Sequence, residues 1–478
     1  MPPYSDSEED DEPRFLLPQG VGETEDVEGY RIGGFHPVHL GEKYDDGRYR
    51  IVHKLGAGGF STVWLARDES EEKWVALKIV DADHSVTTET KSTQIQVVLA
   101  DNQTHFVVGQ YRQFLFDGPN GRHLSLVLPV FGPSTSELSY AFSCRLTPRF
   151  ARKLAYQATK AVAELHSCGL CHGDVTTGNL LLAIADLECY SEEEIYRLFG
   201  QPVTGALETE SGETPGPEAP RYIVKSINFL SSPENIIKPE IKLIDFDQCF
   251  PISSPPQKML GTPLSFLAPE VAVGQGASPA SDVWALGCCI LRLRSGEDPF
   301  SNPFEVNSPL DLISFIVHTL GGTVPPEWQE GILWDSQGYP TRDTNKGEPY
   351  DLEWYGLVRS LRGVVYNTWD EPKDRIVQTG ISRPEDGWRE SDHQPFPSRF
   401  SDMAWNPKAV KVDNAYLFGY GGDWDELQKV LPKISGEEAA LLLDLLTKIF
   451  VYEPADRLTA EQILNHPWFQ FDAQDQTT

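Results

Sequence analysis

Two short runs carry most of the reactive chemistry in this chain. Residues 172–179 read His172-Gly173-Asp174-Val175-Thr176-Thr177-Gly178-Asn179, and residues 244–247 read Ile244-Asp245-Phe246-Asp247. An Asp with an Asn five positions on, followed downstream by an Asp at the end of an apolar strand pattern, suits phosphoryl transfer. Asp174 is placed to take the proton of an attacking hydroxyl. Asn179 and Asp245 offer oxygens of the kind that hold Mg2+ ions bridging the phosphates of ATP.

A second group lies upstream. Leu55-Gly56-Ala57-Gly58-Gly59-Phe60-Ser61-Thr62-Val63 joins two strand patterns. Glycines let a backbone approach phosphates and offer them N–H groups, and Val63 would cover an adenine ring. A plain hairpin turn is the competing reading of these glycines. Fifteen residues after Val63, the run Val75-Ala76-Leu77-Lys78 ends in a lysine. An unpaired charge closing an apolar strand would be costly, and reaching the α- and β-phosphates removes the difficulty. The run Ser125-Leu126-Val127-Leu128 ends at Pro129-Val130-Phe131. There the Pro129 carbonyl could accept from an adenine amino group and the Phe131 N–H could donate to the ring. An ordinary strand end is the alternative. The candidate catalytic residues are therefore Asp174, Lys78 and Asn179, and the metal ligands Asn179 and Asp245. The candidate nucleotide contacts are Leu55, Gly56, Ala57, Gly58, Gly59, Phe60, Ser61, Val63, Ala76, Lys78, Pro129 and Phe131.

The elements that must position these residues change character along the chain. From Tyr49 to Val130, strand-like runs alternate with turn residues. In 150–165 the apolar residues Phe150, Leu154, Ala158, Ala161, Val162 and Leu165 recur at helical spacing and lead into the loop at His172. Capping boxes mark helices after Ser191 and Ser435. The acidic, apolar-poor residues 1–29 read as a disordered tail. An N-lobe is expected over 30–131 and a C-lobe over 132–470, with insertions near 186–240 and 303–430 and a short tail at 471–478. The stretch 208–220 reads as an acidic surface loop. The fold class is α+β, with a small mostly β lobe and a large mostly helical one.

The chain has 478 residues, 40% of them hydrophobic, and 71 acidic against 40 basic residues give a net charge of −31. That argues against binding nucleic acid directly or anionic membranes, and it fits a basic protein partner. Seven cysteines at scattered positions suggest no disulfide framework, hence a reducing compartment, the cytoplasm or nucleus. Cys168 and Cys171 form a C-x-x-C without a second pair at zinc spacing. The N-terminus has no secretory pattern, and no apolar run is long enough to span a bilayer. A monomer is expected.

Further motifs follow in order: Gly261-Thr262-Pro263, Ala268-Pro269-Glu270, Asp282-Val283-Trp284-Ala285-Leu286-Gly287 and Asp456-Arg457 before His466-Pro467-Trp468-Phe469. With the runs above, they resemble the eukaryotic protein kinase fold over about residues 44–470. That resemblance implies a bilobal structure in which Glu270 pairs with Arg457 and Asp282 braces the catalytic loop. Gly33-Gly34-Phe35-His36-Pro37-Val38, Gly47-Arg48-Tyr49 and the run from Gly59 to Ala66 look like the SR-protein kinase family, and other details look like its fungal branch. The family implies ATP and Mg2+, and phosphorylation of serines in basic Arg/Ser-rich proteins.

Four positions depart from the kinase pattern, besides Ser61 where a third glycine is usual. Gln94 stands where a glutamate should pair with Lys78, and the nearest alternative is Glu89. Gly173 replaces the arginine that grips a phosphorylated activation loop in many kinases, which implies activity independent of loop phosphorylation. Thr176 replaces a lysine that stabilises the transferred phosphoryl group, a loss on the order of 10²-fold in rate. Asp247 replaces the glycine after Asp245-Phe246. These departures leave open a weakly active, nucleotide-binding scaffold. Aminoglycoside and choline phosphotransferases share the His-Gly-Asp and Ile-Asp-Phe-Asp patterns, but lack the Ala-Pro-Glu, Asp282 and Arg457 elements in this order.

Overall fold

In a computed structural model the described residues are 13–22, 24–102, 104–140, 145–256, 259–300, 308–322, 360–372 and 429–471, with short stretches inside 324–341 and 400–417. The acidic run 5–12, most of the 303–430 stretch, residues 472–478 and Cys144 lie outside them. The chain divides into two compact units. One comprises residues 1–100, 109–132 and 184–237, and the other residues 101–108, 133–183 and 238–478.

The N-terminal unit is built on a six-stranded antiparallel sheet. Its strands are β2 (Lys43–Tyr44), β3 (Tyr49–Gly58), β4 (Ser61–Asp68), β5 (Lys73–Val80), β6 (Arg112–Gly118) and β7 (Gly121–Leu128), in the spatial order β2-β3-β4-β5-β7-β6. The run Trp74–Val80 in β5 is buried throughout, as a strand paired on both edges and covered on both faces must be. Tyr49, Ile51, Trp64, Val75, Leu77, Ile79 and Val127 form its core. Helix α1 (Ala82–Ala100) follows β5 and buries Ser85, Thr88, Ile95 and Leu99, at spacings of three, seven and four that keep to one face. Ser85 Oγ accepts from Leu124 N at 2.8 Å, which pins the helix to β7.

Three expected assignments differ from those observed. The described part of the stretch read as a disordered tail is packed: strand β1 (Phe15–Leu16) pairs with Glu208–Thr209 inside the expected surface loop. Phe15, Val21, Val27, Tyr30 and Phe35 form one apolar cluster with Leu207, Ala219 and Ile223. The insertion near 186–240 therefore belongs to the N-terminal unit and not to the C-lobe. Trp74 Nε1 donates to Tyr190 O at 2.9 Å, Arg50 pairs with Glu192 at 2.7 Å, and Val224 enters the sheet core. Residues 101–108, expected in the N-lobe, group with the second unit. The His105 and Phe106 N–H groups donate to Glu164 at 3.0 and 2.9 Å. Sparse apolar residues spread through acidic sequence gave no period to read, so these contacts were invisible to pattern analysis.

The C-terminal unit is mostly helical. Helix Pro148–Ser167 packs on helix Pro279–Ser295, which also meets helix Gly436–Ile449. The capping box after Ser191 is complete, and Ser435 Oγ caps the helix that follows it. Glu270 and Arg457 form a buried bidentate pair with both N–O distances at 2.7 Å, and the guanidinium also lies over the Trp284 ring. A carboxylate–guanidinium fork satisfies both ions only when neither moves.

Breaking that fork is expected to be expensive. Glu270→Gln or Arg457→Met should cost about 3–5 kcal/mol, because each strands a buried charge or removes the partner of one. Chemical denaturation against wild type measures the loss. A second expectation concerns pH. Burial lowers the imidazole of His53 to about 4 and that of His36 to about 3 from the ordinary 6.5. Below 6.5 the unfolded chain binds protons that the folded one refuses. This contribution to stability is therefore complete above pH 6.5 and is lost as the pH falls toward 4 and then 3. Each imidazole loses up to about 1.4 kcal/mol as the pH drops by one. Unfolding free energies at pH 7 and 5 for wild type and His53→Gln check it, with a shallower dependence in the variant.

Candidate active site

In the C-terminal unit a strand pair sets the geometry. Strand Leu180–Ile184 pairs with Ile237–Leu243, and Ile244 N donates to Asn179 O at 3.1 Å. Asn179 and Asp245, 66 positions apart, are thus held at the same end of one strand pair. Asn179 Nδ2 donates to Asp174 Oδ2 and to Asp174 O, each at 2.8 Å. The Asp174 Oδ1 atom is buried and has no hydrogen-bond partner among the described residues. Burial raises the Asp174 carboxyl above its ordinary 3.8. The charges of Asp245 and Asp247 push the same way, against His172 and the Asn179 hydrogen bond. An acceptor oxygen left free, on a carboxylate made more basic by its surroundings, is what a proton-accepting group needs. Asp245 adopts φ 68, a left-handed conformation that strains residues other than glycine, although Asp tolerates it better than most.

Asp282 fixes the loop from beneath. Its buried carboxylate accepts from His172 N at 2.7 Å, Gly173 N at 2.9 Å and His166 Nε2 at 2.9 Å. Burial alone would raise its pKa, but the His166 hydrogen bond and the neighbouring imidazoles hold it below 3.8. The bracing expected of Asp282 is present. His172 in turn faces the Ile244 carbonyl through Nε2 at 3.0 Å and packs edge-on against Phe246. His172 and His166 had no role assigned from sequence. Each partner is distant in sequence, and only the histidine type hinted at it.

The departures acquire physical meaning here. Gly173 has φ +77, and a Cβ there would lie 2.6 Å from the Gln248 carbonyl oxygen, so no larger side chain fits. Several uncharged contacts help hold the segment after Asp245. Gly173 O accepts from Thr262 Oγ1 at 2.6 Å, Gln248 Oε1 accepts from Gly261 N at 3.3 Å, and Phe250–Pro251 pairs with Leu170–Cys171. Thr176 is buried and commits its Oγ1 and carbonyl to the Asn179 N–H, which steadies the turn carrying Asn179.

In the N-terminal unit the glycine run is a hairpin. Gly58 pairs with Ser61, leaving Gly59 and Phe60 at the turn, where Phe60 is exposed and its ring packs on His84. None of Gly56, Gly58 and Gly59 has a positive φ, and a Cβ on any of them would meet no described atom within 4 Å. Neither turn geometry nor packing calls for glycine there. What the missing side chains leave is open backbone, suited to phosphate oxygens. Val63 pairs with Lys78, and Lys78 with Leu126; Lys78 is buried, as is Ala76 opposite Leu128. Leu55 and Ala57 lie in β3, while Pro129 and Phe131 follow the end of β7. Gln94 is exposed on α1, off its buried face, whereas Glu89 is half-buried.

A model of the protein kinase domain matches residues 49–189 and 224–469, and its gap falls within the insertion. The chain belongs to the protein kinase family. The relatives it resembles include protein kinase dsk1 of Schizosaccharomyces pombe, 32% identical over 42% of this chain and 38% of that one. The serine/threonine-protein kinase SKY1 of Saccharomyces cerevisiae is 36% identical over 34% of this chain and 24% of that protein. The serine/threonine-protein kinase SRPK of Physarum polycephalum is 28% identical over 74% and 84%. The chain spans well under half the length of the curated relatives first matched. The resemblance to SR-protein kinases, fungal ones included, holds.

The Gly173 geometry yields a test. Gly173→Arg restores the side chain usual in kinases, yet it should destabilise the protein by about 1–3 kcal/mol through backbone strain and the Gln248 clash. Urea denaturation measures it; an unchanged midpoint would contradict the geometry.

Proposed function

We propose that this chain is an ATP-dependent Ser/Thr protein kinase that transfers the γ-phosphate to serines of basic, Arg/Ser-rich proteins without prior phosphorylation of its own loop. The observation that carries the reading is the free, basic Oδ1 of Asp174 beside Asn179 and the strained Asp245. Family membership and the SR-kinase relatives support the reaction class. The net charge of −31 supports a basic substrate. The six described cysteines are free, in keeping with a cytoplasmic or nuclear setting, and we take the active form to be a monomer.

The donor set fits Mg-ATP: an amide oxygen and a carboxylate for hard cations, and bare glycine backbone for phosphates. When bound, Mg-ATP would supply the γ-phosphoryl group and leave as ADP, with Mg2+ offsetting the charge on the departing phosphates. Asp174 Oδ1 accepts the hydroxyl proton of the substrate serine, with Asn179 keeping the other oxygen occupied so that Oδ1 faces the hydroxyl. Asp282 holds His172 and Gly173, and so keeps Asp174 in place. Lys78 contributes its ammonium to the phosphates. Gln94 and Thr176, lacking the charges of the usual glutamate and lysine, make turnover slower than in kinases that have both.

The neutral loop contacts of Gly173, Gln248 and Thr262 support independence from phosphorylation, because none of these three residues offers a cation to a phosphate. Phosphatase-treated protein should keep its transfer rate to an Arg/Ser peptide; loss of all activity would contradict this. Asp174→Ala should lower kcat by about 10²–10⁴-fold. With the Asp174 carboxyl raised, the base is lost as the pH falls through a value above 3.8, so the acid limb of kcat/KM should lie above that value and vanish with the residue.

A further inference from the structure

A lysine with no exposed side-chain surface sits one residue before the glycine run. Lys54 lies on β3, and its ammonium pairs with Glu25, whose side chain is 1% exposed. Tyr30 donates from its hydroxyl to the other carboxylate oxygen of Glu25 at 2.6 Å. The ammonium also lies over the Trp64 ring at 5.6 Å, and Trp64 is the strand partner of Lys54 on β4. Such a pair is a poor source of stability, since desolvating both ions offsets most of their attraction. Its physical content is position: a buried ammonium with one carboxylate in reach has one place to be.

What it positions is the start of the nucleotide loop. The β3–β4 register shifts between Lys54 and Gly56, so Leu55 stands unpaired in a bulge. A bulge without a cross-strand partner takes its direction from its neighbours. Lys54 is held from both ends: its side chain by Glu25 of the leading segment, and its carbonyl by Ile227 N of the insertion at 2.9 Å. Those two segments are themselves joined by β1 with Glu208–Thr209 and by the apolar cluster around Val27, Tyr30 and Ile223. Asn120 adds a third tie, donating to Phe35 O at 2.5 Å and to Glu218 O at 2.7 Å.

We propose that residues 15–30 brace the nucleotide loop in cis, with Glu25 as a positioning residue that fixes Lys54, and through it Leu55, for binding ATP. The leading segment, with no chemistry of its own, sets nucleotide affinity in concert with the insertion. This rests on the reading of residues 55–63 as the nucleotide loop.

The test measures KM for Mg-ATP, kcat and the thermal midpoint in the full chain, assayed well below the midpoint with saturating Arg/Ser peptide. Glu25→Gln should raise KM for ATP about tenfold while kcat stays within about twofold. Glu25→Asp, which keeps the charge but shortens its reach, should fall between. Glu25→Leu with Lys54→Met removes both charges, so it should recover the midpoint while KM stays raised. That double variant decides the matter even if Glu25→Gln fails to fold. A KM that returns to wild type along with the midpoint overturns the brace and leaves a merely structural pair. Gly58→Val separates the two readings. If it raises KM while the Glu25 variants do not, only the brace fails. If it too leaves KM unchanged, the loop assignment itself is wrong.

Discussion

The Asp282 carboxylate is the constraint on which the C-terminal unit depends. It is buried, and it stays ionised because two backbone N–H groups and the His166 imidazole converge on it. Those bonds fix the His172–Gly173 backbone, and the turn they fix presents Asp174. An anion in that setting cannot give up a partner without becoming an uncompensated buried charge. The same logic recurs at Glu270 with Arg457 and at Glu438 with Arg294 and Arg152, where buried carboxylates tie distant helices together. These ions add fixed geometry to the apolar core of the unit.

The departures from the kinase pattern are internally consistent. A side chain at position 173 would strike Gln248, and the following segment is held by Gln248, Thr262 and a short strand pair instead of by a phosphate-gripping arginine. Removing the arginine and supplying neutral anchors belong to one design. Thr176 likewise exchanges a charge toward the phosphoryl group for a hydrogen bond that steadies Asn179. On the proposed reading, the chain keeps Asp174, Asn179 and Asp245 together while giving up part of the electrostatic stabilisation.

Much of the site was legible in sequence because it is local. Asp174 and Asn179 are five apart, Asp245 follows the end of a strand, and the Glu270–Arg457 pair is what the kinase resemblance implies. The glycine run was legible but ambiguous: it is a hairpin, and the open backbone around Gly56, Gly58 and Gly59 suits the phosphate contacts proposed for it. The leading segment was misread. Its charge suggested disorder, but Glu25 is neutralised by Lys54, 29 residues away, and Val21, Val27 and Tyr30 are too widely spaced to show a period. The insertion groups with the N-terminal unit and not with the expected C-lobe, and nothing local in Glu192, Tyr222 or Val224 points to the residues they contact.

If Asp174 is the base of a serine kinase that prefers basic surroundings, transfer must depend on both Asp174 and the charge flanking the serine. A peptide array exposed to Mg-ATP, with the wild-type chain and the Asp174→Ala variant side by side, reads both. Phosphate is expected on serines flanked by arginine, little on acidic peptides, and none above background with the variant. Equal background signals from both proteins, or transfer to acidic peptides alone, would contradict this reading.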